Sequence, residues 1–275
     1  QYQLKLYYEL IFGEKFMENN HTFVICAYGD SPYLEECILS LRNQTVKSTI
    51  ILYTSTPSEH IEHLCQEYSI PYHVKQGGGI GIDWNNALSF ANTRFVTIAH
   101  QDDLYKENYA EKILSEFRRD LKHTIVYSDY VEYRDGREIE ANTNLKIKTL
   151  MLNVLSLFPK WMFWRNRVLA FGNPICCPAV TYDMDKLNGF QFETKMRTNL
   201  DWYAWYDISS HYRGSFGYVS DKLMCHRIHQ DSETSNTIRD NVRTKEDLEM
   251  YRLFWPEFIV KILIYFYEKS QESNG

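Results

Sequence analysis

Two adjacent carboxylates follow a short apolar run near the middle of the chain. The run Phe95-Val96-Thr97-Ile98-Ala99 predicts a buried strand, and His100-Gln101-Asp102-Asp103 follows it directly. Open α/β sheets bind ligands beyond the C-terminal ends of their strands, where paired carboxylates can hold a divalent cation against substrate phosphates. The pair also suits the first turn of a helix predicted around 106–117, so both interpretations stay open on these residues alone.

A glycine-rich segment lies before that strand. Gly77-Gly78-Gly79-Ile80-Gly81 leads into a predicted helix that contains Asp83 and Asn86. Glycines let the backbone approach a ligand closely, and a helix N-terminus attracts anions. The spacing fits neither the dinucleotide fingerprint nor the phosphate loop that ends in Gly-Lys-Ser/Thr. The segment is therefore a phosphate-binding candidate of another kind, with a flexible connection as the alternative.

Two further clusters lie in the second half of the chain. Asn199 is a plausible N-cap for an aromatic helix whose first turn contains Asp201, and a predicted strand ends at Arg227 and His229. Carboxylates, imidazoles and guanidinium groups can serve as bases, metal ligands and phosphate contacts. Each cluster also has a purely structural interpretation, as a favourable helix charge or as an ion pair on an edge strand.

Strands and helices alternate through the first half, which positions these residues. The predicted strands cover 22–28, 49–53, 71–74 and 95–99, and a helix follows each of the first two and the glycine-rich segment. This rhythm implies right-handed βαβ units, hence an α/β fold with a Rossmann-like, mostly parallel sheet flanked by helices. Later strands and an Asp135-Gly136 turn predict a smaller mixed part, followed by C-terminal helices with a break near Pro256.

The composition is that of an ordinary soluble globular protein. A net charge of -6 argues against a protein that coats nucleic acid. The six cysteines lack metal-ligand spacing and predict reduced thiols in a cytoplasmic protein. We find no signal peptide and no long apolar run, which predicts no transmembrane segment and leaves peripheral membrane contact open. The aromatic, basic stretch 149–171 indicates either an acceptor-side lip or partner surface, or a helical pair that completes the core.

Four stretches in the right order resemble the family 2 glycosyltransferases of GT-A fold. Residues 24–45 resemble the opening strand and helix, 77–88 the glycine-rich donor loop, 100–103 the DXD-type motif and 200–202 the catalytic-base motif. Arg227-Ile228-His229 resembles the later Arg/His element. The resemblance implies an N-terminal helical extension over 1–21, a donor half over 22–133, an acceptor and catalytic-base half over 134–235, and a C-terminal helical segment over 236–275.

The resemblance also implies a role for each matching residue. Asp201 corresponds to the catalytic base, and Asp103 and His229 correspond to metal ligands. The implied contacts with the nucleotide-sugar donor are Ala27, Tyr28, Asp30, Gly78, Gly79, Asp83, Asn86, Gln101, Asp102 and Arg227. Two departures stand out: Thr54-Ser55-Thr56 replaces an Asp that usually contacts the nucleoside, and Gln101 replaces the first Asp of the carboxylate motif.

The implied reaction transfers a hexose-type sugar from a nucleotide-diphosphate donor, expected to be a UDP-sugar, to a hydroxyl of a glycan or glycoprotein. A site with an imidazole ligand favours Mn²⁺, with Mg²⁺ as the alternative. One base and one displacement imply inversion at the anomeric carbon. A non-catalytic nucleotide-sugar or glycan-binding module of the same fold is the other hypothesis, since two motif positions depart from the family. The motifs identify neither the sugar nor the acceptor.

Overall fold

The computed structural model describes residues 20–229 and 242–263. The helix expected in the N-terminal extension therefore lies outside the described residues, except for the boundary with the first strand. The same holds for 230–241 and 264–275, which belong to the predicted acceptor half and C-terminal segment.

Apolar and β-branched runs form the strands in the predicted order. The strands are β1 (His21–Ala27), β2 (Thr49–Thr54), β3 (Tyr72–Val74), β4 (Phe95–His100), β5 (Leu104–Tyr105), β6 (His123–Arg134), β7 (Arg137–Ile139), β8 (Val180–Asp183) and β9 (Ser215–Arg227). The helices are α1 (Leu34–Arg42), α2 (Glu59–Glu67), α3 (Ile80–Phe90), α4 (Tyr109–Arg119), α5 (Thr143–Ser156), α6 (Met162–Leu169), α7 (Leu200–His211) and α8 (Val242–Phe254). The helix is interrupted at Pro256, as predicted, and the chain is again helical over 257–263.

All these strands join one sheet, in the order β3-β2-β1-β4-β8-β6-β9-β5, with β7 on β6. The first four strands of this order are mutually parallel. Antiparallel β8 then links β4 to β6, and β9 runs parallel to β6. The predicted fold class is confirmed: a Rossmann-like parallel part continues into a mixed part. The sheet contains strands from both expected halves, 22–133 and 134–235, because β8 and β9 belong to the second half.

The short strand β5 excludes one of the two interpretations of Asp102 and Asp103. Leu104 pairs with Cys225 and Tyr105 with Met224, so this segment is sheet rather than helix. Helix α4 begins only at Tyr109. The two carboxylates therefore do not form the first turn of that helix, and the helix-start interpretation is wrong. They occupy the connection between β4 and β5, at the C-terminal end of a central strand.

Helices cover both faces of the sheet. Helices α1, α2 and α4 bury one face through residues such as Ile38, Leu64 and Ile113. The other face packs against α3 and α5–α8, including Leu155, Leu169, Trp205 and Met250. The stretch 149–171 thus contributes a helical pair to the core, as one of its two interpretations predicted. Within the described residues no helix has both the length and the apolar character to cross a membrane.

Candidate active site

Asp103 lies buried where β5 meets the end of β9. Its side chain has no exposed surface, and its Oδ1 accepts hydrogen bonds from the backbone N–H of Arg227 at 2.9 Å and from His226 Nδ1 at 3.1 Å. The antiparallel pairing of Leu104 with Cys225 places the preceding residue, Asp103, opposite the following residue, His226. Strand register therefore creates this contact between two distant segments.

Asp102 accepts hydrogen bonds from the side chains of Arg227 and His229. Its carbonyl oxygen accepts from Arg227 Nε at 2.8 Å, and its Oδ2 accepts from His229 Nε2 at 2.9 Å. The Arg227 guanidinium also donates to Glu36 at 2.7 Å and lies between the rings of Tyr33 and Tyr133. The predicted meeting of these two segments is therefore present, with His229 against Asp102 rather than Asp103.

The charges around Asp103 favour its ionised form. Burial acts to raise the pKa of Asp103, but the positive charge and hydrogen bond of His226 outweigh burial, and the pKa is lowered. Burial acts to lower the pKa of His226, and the Asp103 carboxylate reverses that effect so that the pKa is raised. Each member of the pair thus favours the charged form of the other.

The carboxylate cluster has the composition of a divalent-metal site. Ligand atoms of His100, Asp102 and Asp103 all lie within 4.8 Å of one another. Asp103 Oδ2 is buried, accepts no hydrogen bond from the residues that the structure describes, and lies 3.8 Å from His100 Nδ1. A buried carboxylate oxygen without a partner is costly, and a cation would satisfy it. The residues therefore fit a metal, and the assignment of Asp103 and His229 as its ligands stays a prediction.

Gln101 joins the ends of two central strands. Its side-chain amide accepts from Tyr28 N at 3.1 Å and donates to Tyr28 O at 2.8 Å. Ala27 is buried beneath this clamp, whereas Tyr28 is 68% exposed beyond it. Asp30 follows as an exposed residue that accepts a hydrogen bond from the Ser58 hydroxyl. The replacement of the usual Asp by Gln101 thus supplies a backbone clamp at the end of β1.

The glycine-rich segment brings Asp83 to the end of β2. Asp83 Oδ1 accepts from the Tyr53 hydroxyl at 2.8 Å. A Cβ on Gly77 would lie 2.3 Å from that oxygen and 2.6 Å from Ser55 Cβ, so only glycine fits between them. Asp83 therefore places a carboxylate beside Thr54-Ser55-Thr56, where the family's usual Asp is missing.

The other residues of this segment fix its shape. Asn86 is nearly buried and donates to the Tyr53 hydroxyl at 3.0 Å and to Gln76 O at 3.1 Å. Gly79 has a φ of 122°, in the region that favours glycine, directly before α3. Gly78 lies beside it, against the end of the flexible Ile82 side chain. Asn86 thus uses its amide nitrogen within the protein, and the two glycines line the approach to the helix N-terminus.

Asp201 occupies the first turn of α7, as predicted. Its Oδ1 accepts from Trp202 N and its Oδ2 from Asn173 Nδ2, both at 2.7 Å. Burial raises the pKa of Asp201, and the hydrogen bonds from Trp202 and Asn173 oppose the rise without cancelling it. A raised pKa makes this carboxylate a stronger base than an exposed Asp.

The C-terminal helix α8 supports the segment before α7. Buried Glu246 accepts hydrogen bonds from the backbone N–H groups of Arg197, Thr198 and Asn199 at 2.7, 2.8 and 3.0 Å. Asn199 stands at the N-cap position, but its side chain donates to Asp247 at 2.7 Å and does not cap the helix. A carboxylate from another helix therefore satisfies the N–H groups of this turn.

Asp103 and Asp201 flank the same part of the molecule. Burial raises the pKa of the Cys176 thiol, and both carboxylates raise it further. The Lys148 ammonium lowers the pKa of both His226 and Asp201, and its Nζ donates to the Tyr130 hydroxyl at 3.0 Å. Lys148 and Cys176 therefore lie near both the carboxylate cluster and the candidate base.

Four residues of this site were not predicted from the sequence, namely Asn173, His226, Glu246 and Lys148. His226 directly precedes Arg227 at the end of the predicted strand. Its contact with Asp103 depends on the register of β5 on β9, which no local sequence pattern reveals. The other three lie on segments whose approach to Asp201 depends on helix packing, and no local pattern marks them.

A model of the family described as Glycosyl transferase family 2 matches residues 22–182, more than half of the 275 residues. A curated relative, Glycosyltransferase GlyG of Streptococcus pneumoniae serotype 4, is 24% identical over 120 residues, which cover 41% of this chain and 40% of that protein. The chain therefore spans well under half of the length of this relative.

Two solved structures share the fold at low sequence identity. S. aureus TarS 1-349 in complex with UDP-GlcNAc has a TM-score of 0.62 at 13% identity, covering 89% of this chain and 70% of that one. The mannosyltransferase PcManGT from Pyrobaculum calidifontis, in complex with GDP-Man and Mn²⁺, has a TM-score of 0.60 at 12% identity, covering 90% and 68%. Because the family model matches most of the sheet, this chain belongs to glycosyl transferase family 2.

Proposed function

We propose that this protein transfers a hexose-type sugar from a nucleotide-diphosphate donor to a hydroxyl of a glycan or glycoprotein, with a divalent metal. The observation that carries the proposal is the buried Asp103 in the carboxylate cluster, whose Oδ2 accepts no hydrogen bond within the described part of the chain. A second carboxylate, Asp201, lies near the same Cys176 thiol as Asp103. A metal-bound diphosphate and a separate base are what this transfer requires.

The carboxylate cluster would hold the metal on the donor diphosphate. Asp103 Oδ2, Asp102 and His100 offer ligand atoms within reach of one ion, with His229 beside Asp102. When bound, a divalent cation supplies positive charge to the diphosphate as the glycosidic bond breaks. The mannosyltransferase complex with Mn²⁺ supports this metal, and Mg²⁺ is the alternative.

The glycine-rich segment would bind the rest of the donor. Gly78 and Gly79 open the approach to the N-terminus of α3, which favours a phosphate, and Asp83 presents a carboxylate at the end of β2. We assign to Asp83 the nucleoside contact that the family's missing Asp makes. The complex of TarS with UDP-GlcNAc supports a UDP-sugar.

Asp201 would act as the base on the acceptor. The acceptor oxygen bonds to the anomeric carbon as that carbon's bond to the diphosphate breaks, and the hydroxyl proton passes to the Asp201 carboxylate. Its raised pKa strengthens it for this task, and the two hydrogen bonds keep it oriented. A single displacement of this kind inverts the anomeric configuration.

The first experiment measures donor hydrolysis and transfer with a panel of nucleotide sugars, with and without Mn²⁺. Asp103→Ala should abolish the metal dependence, and Asp201→Asn should reduce transfer by at least about 100-fold, as expected for a lost general base. Asp207→Asn is the matched control for the second variant, since Asp207 lies on the same helix and pairs with His211. Equal rates in all four proteins would overturn the enzymatic proposal.

A non-catalytic binding module of the same fold is the second candidate. The observation in its favour is that Gln101, at a motif position, uses both ends of its amide on Tyr28. Thermal unfolding with UDP-sugars, GDP-sugars and Mn²⁺ separates the two candidates, because a ligand that binds the folded state raises the Tm. A Tm increase without any turnover would favour the module.

A further inference from the structure

The end of α5, the loop after it and the start of α6 carry an exposed aromatic surface. Phe163 is 69% exposed, Trp161 62%, Met162 49% and Phe158 42%. The rings of Phe158 and Trp161 stack with their centroids 4.9 Å apart. The same two helices bury Leu152, Leu155 and Leu169 in the core, so the exposed residues are additional to those that the core requires. Contiguous exposed aromatic residues mark a docking surface.

A cationic pocket adjoins this aromatic surface. Lys122, Lys160, Lys186 and Arg213 line it together with Leu121 and Gly214. Arg165 on α6 donates to both Pro159 O and Gly214 O, which fixes the loop before Trp161 against the pocket wall. Lys160 pairs with Asp120 at 3.2 Å and Lys186 pairs with Asp183, whereas within 20–229 and 242–263 no ion pair involves Lys122 or Arg213.

The segment 141–182 is basic, with five Lys or Arg residues and no Asp or Glu in a protein whose net charge is -6. Of these five, Lys160 lines the pocket and Arg165 is buried. We call Phe158, Trp161, Met162, Phe163, Lys122, Lys160, Lys186 and Arg213 the basic-aromatic face. Asp120 and Asp183 pair with two of the four cations, and the positive charge that remains on this face of an acidic protein favours an anionic partner.

We propose that the basic-aromatic face docks this protein on the surface of an anionic lipid bilayer. Tryptophan and phenylalanine side chains partition into the boundary between head groups and acyl chains, and nearby Lys and Arg are attracted to anionic lipids. A second copy of the chain is a poorer partner, because a symmetric dimer would bring the same cations together. The proposal concerns where the protein binds, and it does not depend on the sugar-transfer proposal.

The test measures binding of the full chain to phosphatidylcholine vesicles with and without phosphatidylglycerol, in the absence of donor and acceptor. Sedimentation should show at least about tenfold stronger binding to the anionic vesicles, weakened by about 0.5 M NaCl. Of the six tryptophans only Trp161 is exposed, so brominated lipids should quench its fluorescence selectively. Because no substrate is present, failure here would leave the sugar-transfer proposal standing.

Variants separate the aromatic contribution from the charge. Trp161→Ser with Phe163→Ser should lower binding at least about tenfold, and Lys122→Gln with Arg213→Gln should remove most of the preference for anionic lipid. Trp161→Phe should keep binding and lose the quenching. Val74→Ser is the control, since Val74 is 50% exposed on β3 at the far edge of the sheet.

Three outcomes would overturn the proposal. The first is folded protein that binds neither vesicle, and the second is equal binding to neutral and anionic vesicles. The third is a concentration-dependent dimer, seen by size-exclusion chromatography, that Trp161→Ser dissociates. That result would assign the aromatic residues to self-association.

Discussion

Two regions of the molecule are stabilised in different ways. The first, the donor edge, consists of the C-terminal ends of β1, β2 and β4. The second, the base site, consists of Asp201 with Asn173 and Glu246. At the donor edge, parallel neighbours bring Tyr28, Ser55 and Gln101 together through backbone ladders. At the base site, Asn173 and Glu246 reach the turn around Asp201 from segments 28 and 47–49 residues away.

This difference has a physical consequence. Central strands are joined by many backbone hydrogen bonds, which do not depend on any single side chain. The turn before Asp201, in contrast, depends on one buried carboxylate from a neighbouring helix, so no second group can replace it. The base site should therefore be the more sensitive of the two to single substitutions remote from the chemistry.

The largest expected effect comes from Glu246→Ala. The change removes the acceptor of three backbone N–H groups before α7 and leaves them without a partner, at a cost of about 3 kcal/mol in the free energy of unfolding. We expect kcat for transfer to fall about 100-fold, whereas the Tm increase on nucleotide binding persists. Chemical denaturation and steady-state kinetics measure both effects. Glu249→Ala, exposed on the same helix, is the control, and an equal loss there would contradict the assignment.

Gly77→Ala tests the donor edge by sterics. The new Cβ would lie 2.3 Å from Asp83 Oδ1, so either Asp83 or the loop must move, at a cost of about 1–3 kcal/mol. The Kd for nucleotide, measured calorimetrically, should rise about tenfold or more, with kcat at saturating donor little changed. Gly136→Ala is the control for a general loss of stability. Its φ of 76° makes alanine strained in the β6–β7 hairpin, which is remote from the donor edge, so this variant should be less stable with unchanged nucleotide affinity. Unchanged nucleotide affinity in Gly77→Ala would sink the role given to Asp83.

Asn173→Ala tests the protonation of the base. Asn173 stabilises the Asp201 carboxylate and opposes the rise in its pKa, so its loss should raise that pKa further. The base works only when ionised, and transfer is lost as the pH falls through the Asp201 pKa. The acidic limb of the pH profile of kcat should therefore move to higher pH, with kcat near neutral pH reduced about tenfold. An acidic limb that does not move would show that Asn173 has no influence on the pKa of the base.

Lys148→Met is the smallest of these perturbations. Its ammonium lowers the pKa of Asp201 from a half-buried position, so removal should shift the same limb in the same direction by less than Asn173→Ala does. We expect kcat at neutral pH to fall about twofold to threefold, because a partly exposed charge is screened. Lys146→Met, exposed on the same helix, is the matched control. A downward shift would contradict the position given to Lys148.

Much of the donor edge was predictable because its elements are local in sequence. The runs before Tyr28, Thr54 and Gln101 each contain enough apolar residues to identify a buried strand, and alternating helices imply parallel neighbours. Strands β5 and β8 were harder to predict or place. Leu104-Tyr105 is too short to show a period, and the antiparallel place of Val180–Asp183 between β4 and β6 depends on a long-range pairing.

The class of fold, the order of the motif-bearing segments and the residue types that they present could all be predicted from the sequence. Those features depend on hydrophobic periodicity and on turn and helix-start signals, which act over a few residues. By contrast, three contacts depend on the tertiary structure: His226 with Asp103, Asp83 with the end of β2, and Glu246 with the turn before Asp201. Such contacts join residues far apart in the chain, and they form only when strand register and helix packing are set together.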